Sequence, residues 1–157
     1  MSVLFETEDL RIRPFAKGET AECLSWLADP VVMRYIEEPF DTEKCEAFLE
    51  AHALIKEPRI YAVEKKQDGS LIGHLIFHPF GKDSYELGWI LKQEAWHHGY
   101  ADQLTKVVIR LAEEKGIDSL VIECDKDQKA SIAVAEKNGF VLIGNDNDLL
   151  QYQRKLK

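Results

Sequence analysis

The sequence predicts a mixed α/β (α+β) fold, a sheet of strands with helices on both faces. Two observations carry that reading. Short strands with turn residues between them follow one another through the middle of the chain, and the C-terminal half alternates strand, helix, strand, helix, strand. No repeat, low-complexity tract or Gly/Ser linker divides the chain, so residues 1–157 are expected to form a single domain.

Leu10-Arg11-Ile12-Arg13-Pro14 alternates apolar and basic residues as a half-buried strand does, and Pro14 ends it. From Gly18 to Tyr35 the spacing is helical, with Cys23, Leu24 and Leu27 on one stripe, interrupted at Asp29-Pro30. Asp41 or Thr42 caps a second helix running through Phe48, Leu49, His52 and Ile55, closed by Pro58. Arg59 to Lys65 and Leu71 to Phe77 read as strands around the turn Gln67-Asp68-Gly69-Ser70. After a turn from Pro79 to Ser84, Tyr85 to Leu91 is a third strand. Tyr85, Leu87, Trp89 and Leu91 share one face of it; Glu86, Gly88 and Ile90 share the other. Ala101 to Lys115 carries Leu104, Val107, Val108, Leu111 and Ala112 at helical spacing, and Gly116 stops it. Leu120 to Cys124 is a strand, Lys129 to Asn138 a short helix, and Phe140 to Ile143 a strand. A final strand from about Leu149 to Leu156 follows an Asn-Asp-Asn-Asp turn.

The chain has 157 residues, with 20 Lys and Arg against 28 Asp and Glu, a formal charge of −8. An acidic balance disfavours nucleic-acid binding, which needs a basic face. No apolar run approaches the roughly 20 residues of a bilayer span, so no membrane partner is expected. The opening MSVLFETEDLRIR lacks the basic-then-apolar order of a secretory signal. Cys23, Cys45 and Cys124 are odd in number and widely spaced, which favours a reducing compartment over a disulfide framework.

Between the third strand and the long helix lies Trp96-His97-His98-Gly99-Tyr100-Ala101. A small residue there lets backbone N–H groups approach a ligand, and the helix N-terminus adds partial positive charge, together an anion site. Gly99 is equally readable as a plain loop glycine. The segment is neither a GK[ST] phosphate loop nor a GxGxxG fingerprint. Its neighbours sharpen the reading. Glu86-Leu87-Gly88-Trp89-Ile90-Leu91, Trp96 to Ala101, Gln128-Lys129-Ala130-Ser131 and Glu136 to Phe140, in this order and spacing, resemble the GNAT (GCN5-related) N-acetyltransferases. They are most similar to the branch that acetylates ribosomal-protein N-termini. Leu10 to Phe15 and Val32-Met33-Arg34-Tyr35-Ile36 also look like that branch.

The resemblance implies the GNAT fold, a mostly antiparallel central sheet of about seven strands with a splayed parallel pair, Tyr85–Leu91 and Leu120–Cys124. It implies acetyl-CoA as co-substrate donor and no metal. The pyrophosphate would sit on the amides of His97, His98, Gly99, Tyr100, Ala101 and Asp102. The pantetheine arm would pair with the backbone of Trp89, Ile90 and Leu91. Gln128 stands where the branch usually has Asn, and Ser131 where the family hydrogen-bonds the coenzyme sulfur. Lys92, Lys126 and Lys129 would offset phosphate charge or remain solvated. Ala135 replaces a tyrosine acid common in the family. Glu86 and Glu123 compete as general base, each also readable as an ordinary strand-end carboxylate. Tyr35 and Trp96, with Trp26 and Phe40, would wall an acceptor pocket or pack the core.

His97 and His98 read as loop surface, and His74 and His78 stand about 13 Å apart along one strand, too far to share an ion. Cys124 reads as a buried small hydrophobe. The expected activity is direct acetyl transfer to a primary amine, first a protein or peptide N-terminal amine. A small-molecule amine acetyltransferase, a non-catalytic CoA-binding sensor or partner module, and a nucleotide-phosphate binder are the alternatives. The protein is expected as a monomer or homodimer, and a cytoplasmic location is the family expectation.

Overall fold

Eight strands, one more than expected, join a single sheet among the described residues, residues 2–157 of a computed structural model. In chain order the elements are β1 (Phe5–Glu6), β2 (Leu10–Arg13), α1 (Thr20–Leu27), α2 (Thr42–His52), β3 (Ile60–Lys65), β4 (Leu71–Pro79), β5 (Ser84–Leu91), a 3₁₀ turn (Gln93–Ala95), α3 (Tyr100–Glu114), β6 (Ser119–Asp125), α4 (Lys129–Lys137), β7 (Val141–Asp146) and β8 (Leu149–Lys155). The strand order is β1-β2-β3-β4-β5-β6-β8-β7. β5 and β6 are parallel, in register Ser84↔Ser119, Tyr85↔Leu120 and Glu86↔Val121, while β6–β8 and β7–β8 are antiparallel. The extra strand is β1, whose two residues pair with Ile12 and Arg11 and are too few to show a period.

The chain forms two compact units, one of residues up to Ile76 with Trp89–Tyr100, the other of Phe77–Gly88 with Ala101–Lys157. In the first, α1 ends at Leu27 rather than running toward Tyr35, because Asp29-Pro30 breaks the backbone pattern and residues 30–36 turn. Asp41 is the cap of α2: its carboxylate accepts the Lys44 amide at 2.8 Å, and the helix stops at His52, short of Ile55. Cys23, Trp26, Leu27, Met33, Cys45 and Leu49 pack with Ile60 and Ala62 of β3 as one apolar core. Removing each large side chain from water contributes about 1.5–3 kcal/mol. Arg13 departs from the alternation expected of its strand. It is buried, and its guanidinium donates to Glu19 at 2.8 Å and Glu64 at 3.1 Å, tying β2 to the start of α1 and to β3. Trp26 donates from Nε1 to Nδ1 of His74 at 2.9 Å, and burial pushes the His74 imidazole down to about 3, so it is neutral.

In the second unit α3 buries Leu104, Thr105, Val108, Ile109 and Ala112, the expected stripe shifted slightly around the helix. Phe77 of β4 and Tyr85 of β5 pack with tilted rings, centroids 4.9 Å apart, across the hairpin. β7 and β8 meet through Asn147 and Asp148, both at positive φ (50° and 72°), the conformation a two-residue hairpin requires. No described helix is long and apolar enough to cross a membrane.

Candidate active site

The first unit holds the end of β5 and the loop after it. The Lys92 amide donates to the Ile72 carbonyl at 2.8 Å, holding β5 to β4 up to its last residue. Gly73 of β4 lies beside this stretch. A Cβ there would collide with the Ile90 carbonyl and stand 2.8 Å from the Leu91 Cα, so the backbone of Ile90 and Leu91 depends on a glycine in the next strand. After β5, the Trp96 indole Nε1 donates to the Leu91 carbonyl at 2.8 Å, and Gln93 Nε2 donates to Asp29 Oδ2 at 2.7 Å. That bond, with a backbone amide from Val31, holds the Asp29 carboxyl below its ordinary range. The loop is thus tied to the strand it leaves and to the turn after α1.

From Trp96 the chain passes through His97 at φ +65° and Gly99 at φ +78° and enters α3 at Tyr100. A Cβ on Gly99 would meet nothing within 4 Å, so the glycine serves backbone conformation, not close packing. Left-handed residues just before a helix form a concavity of N–H groups beside the helix's positive end, and residues 96–99 are exposed. The chemistry of this turn fits an anion. The His98 ring stacks on Tyr100 at 5.4 Å. Tyr35 lies in the turn after α1, 37% exposed, with the Arg34 guanidinium 5.1 Å from its ring centroid. Trp96 is 36% exposed, but its indole N–H belongs to the loop anchor. Trp26 and Phe40 are core residues.

The second unit holds the other candidates. Ala101 and Asp102 form the first turn of α3. The Asp102 carboxylate accepts from Lys106 at 2.6 Å and from Asn138 at 2.8 Å. Burial raises its pKa, but those hydrogen bonds outweigh burial and hold the carboxyl below its ordinary range. Asn138 in turn accepts Arg154 on its carbonyl, so the start of α3, the end of α4 and β8 are joined. Asp102 therefore spends its side chain on structure and offers a ligand only its backbone.

Gln128 precedes α4, and its Oε1 accepts the Asp125 amide at 2.7 Å, turning its carbonyl end toward its own loop. Ser131 is half-buried in the first turn of α4. Ala135 is fully buried, so no phenol occupies that position. Glu86 is the register partner of Val121 in the parallel ladder, and Glu123 lies two residues further along β6. Both glutamates therefore project from one face of the sheet, their Cα atoms roughly 8 Å apart from strand geometry. Glu123 accepts from Gln151 Nε2 at 3.3 Å across the β6–β8 ladder.

Glu86 has a partner that the sequence did not single out. The Phe80 amide donates to the Ser84 carbonyl at 2.9 Å, closing the β4–β5 hairpin and setting His78 opposite Glu86. The buried His78 imidazole places Nε2 3.1 Å from Glu86 Oε1, with Nδ1 2.8 Å from the Pro79 carbonyl. Counting outward from a turn of Pro79 to Ser84 would set His78 opposite Tyr85; the closure at Phe80 and Ser84 shifts the register by one and brings Glu86 there. The remaining reactive groups are accounted for otherwise. Burial pushes the Cys124 thiol up to about 11, which makes it a poor nucleophile. Among the described residues no group of three or more His, Cys, Asp or Glu is placed to hold a metal ion.

The acetyltransferase (GNAT) domain family model matches residues 9–141. The chain is 26% identical over 137 residues to an uncharacterized N-acetyltransferase, YnaD, of Bacillus subtilis, covering 85% of this chain and 80% of the relative. Among solved structures it is similar to a GNAT-family acetyltransferase from Bacillus anthracis, with TM-score 0.88 and 24% identity over 99% of both chains. It also resembles RimL, a ribosomal L7/L12 alpha-N-protein acetyltransferase in complex with coenzyme A, with TM-score 0.82 and 19% identity over 98% of both chains. A spermidine N-acetyltransferase from Vibrio cholerae, in complex with CoA and spermine, gives TM-score 0.79 and 19% identity over 94% of this chain and 96% of that one. A family match across most of the chain, on a mixed sheet with one parallel pair, establishes that the chain belongs to the GNAT acetyltransferase family.

Proposed function

We propose that the protein moves acetyl from acetyl-CoA directly to a primary amine, with a protein or peptide N-terminal amine as the first acceptor. The observation that carries this reading is the turn through His97 and Gly99 into α3, in a chain of this family. Amides of His97 to Asp102 would hold the donor's pyrophosphate, and the backbone of Trp89 to Leu91 its pantetheine arm. Leu91 enters that role with its carbonyl already taken by Trp96.

The chemistry asks the chain to remove a proton from the amine, stabilise an oxyanion and support a departing thiolate. An α-amine of pKa about 7.7–8.0 needs only modest help from a base. Glu86 is the better base on geometry, because a histidine fixes its carboxylate, whereas Glu123 is held by a glutamine amide. An amide near Ile90 or Leu91 would serve the oxyanion, and Ser131 the thiolate.

A small cationic amine is the second acceptor class. The relatives named above include a protein acetyltransferase and a spermidine acetyltransferase at the same identity, and a charge of −8 favours encounter with cations. Thiol release from acetyl-CoA is measured over a panel of N-terminal peptides, polyamines and amino acids, with product masses determined. An acetylated α-amine on a peptide supports the proposal, and acetylated polyamine alone assigns the second class. Coenzyme binding with no thiol release on any amine would leave only a coenzyme-binding module.

A further inference from the structure

We propose that His78 is a positioning residue for Glu86 and the sink for the proton that Glu86 removes from the acceptor amine. The inference rests on the role given to Glu86 above, but its evidence is local to the β4–β5 hairpin. The Pro79 carbonyl can only accept, so the His78 nitrogen 2.8 Å from it, Nδ1, carries a proton. In neutral imidazole that leaves Nε2 a bare lone pair. A carboxylate oxygen likewise only accepts, yet Glu86 Oε1 stands 3.1 Å from Nε2. Two acceptors do not rest at hydrogen-bond distance without a proton between them. The contact therefore describes a pair holding one proton more than neutral histidine and ionised glutamate. Solvent does not readily dissipate the charge, since the side chains are 9% and 19% exposed.

To act as a base the resting pair first gives its extra proton to water, leaving neutral His78, protonated on Nδ1, and Glu86 carboxylate. The amine lone pair forms the C–N bond to the acetyl carbonyl carbon, and the C–S bond breaks with its electron pair leaving on sulfur. One N–H proton passes to Glu86 and is shared with Nε2 of His78. The thiolate takes a proton from water and the pair later returns its own to water, so protons balance over a turnover. His78 does not touch the substrate. It orients the carboxylate through a fixed imidazole and lowers the cost of loading a half-buried base.

The test uses the full chain with ¹⁵N-labelled histidine and the variants Glu86→Gln and His78→Gln. In the wild type, Nδ1 of His78 should be protonated and Nε2 should show the signature of a proton carried or shared, with Glu86→Gln turning Nε2 into a bare acceptor. Glutamine at 78 can still donate to Glu86 but cannot take up a proton. His78→Gln should therefore lower kcat about 10–100-fold, with amine KM and acetyl-CoA affinity unchanged. An Nε2 signal unaffected by Glu86→Gln, or a wild-type kcat in folded His78→Gln, overturns the proposal. If the wild type acetylates no amine, the functional reading fails, while the nitrogen signals still decide the pair.

Discussion

Gly73→Ala is the perturbation whose size the structure fixes best. A methyl group at this position meets main chain: the Ile90 carbonyl and, at 2.8 Å, the Leu91 Cα, with the Leu91 side chain also at 2.8 Å. A side-chain tip would rotate away, but these backbone atoms are held by the Lys92–Ile72 hydrogen bond and by the Trp96 indole on the Leu91 carbonyl. The two strands must therefore separate locally. Overpacking of this kind costs about 1–3 kcal/mol, which for a chain of this length lowers Tm by roughly 2–12 °C. Urea and thermal unfolding measure the stability, and calorimetric titration with acetyl-CoA measures the effect on the Trp89–Leu91 backbone. The folded variant should show lower stability and weaker acetyl-CoA binding, with the amine KM at saturating donor little changed. Wild-type stability would refute the close approach of the two strands. Lower stability with unchanged donor affinity would refute the pantetheine role of that backbone.

Glu86→Gln should lower kcat/KM for the amine by about 10²–10⁴-fold without weakening acetyl-CoA binding, and Glu123→Gln by much less; steady-state kinetics on both variants sort the two carboxylates, and the reverse order would make Glu123 the base. Trp96→Phe keeps the ring but removes the donor to the Leu91 carbonyl, so it should cost about 0.5–1.5 kcal/mol in urea unfolding and loosen acetyl-CoA binding, seen by titration. Asp102 has a carboxyl held below its ordinary range in the fold, so its stabilisation is present above the unfolded pKa of about 3.9 and lost as pH falls through the folded value. Asp102→Asn should therefore lower the urea midpoint at neutral pH, and the gap to wild type should close in acid. The neutral buried His74 works over a different window: its stabilising effect is complete above about pH 6.5 and falls, by up to about 1.4 kcal/mol per pH unit, down toward its folded value of about 3. His74→Phe should flatten stability between those limits in a pH series of unfolding curves.

Most of the strands and helices were legible because their patterns are local. The α3 stripe, the β5 alternation and the hairpin turn residues each state a period or a backbone conformation within a dozen residues. The losses were of two kinds. β1 has two residues, and α1 and α2 end where capping competes with a weak apolar pattern, so neither length nor period marks them. Long-range polar partners were the other. Arg13 sits on an outward position of the alternating pattern, but its burial depends on Glu19 and Glu64, and Glu64 lies 51 residues away. At the candidate site, the loop from Trp96 to Gly99 was readable, since glycine before an amphipathic helix has a backbone meaning. The pairing of His78 with Glu86, the commitment of Asp102 to Asn138, and the use of Gln128 Oε1 by its own loop depend on register and on side-chain geometry that spacing does not encode.

The most direct test of the central claim is calorimetric titration of the folded protein with acetyl-CoA, with ATP and NAD as controls. Acetyl-CoA should bind saturably and one-to-one, with neither control competing. Absence of acetyl-CoA binding in a folded sample, or displacement of it by ATP or NAD, would contradict the donor assignment on which the roles proposed for Glu86, His78 and Ser131 depend.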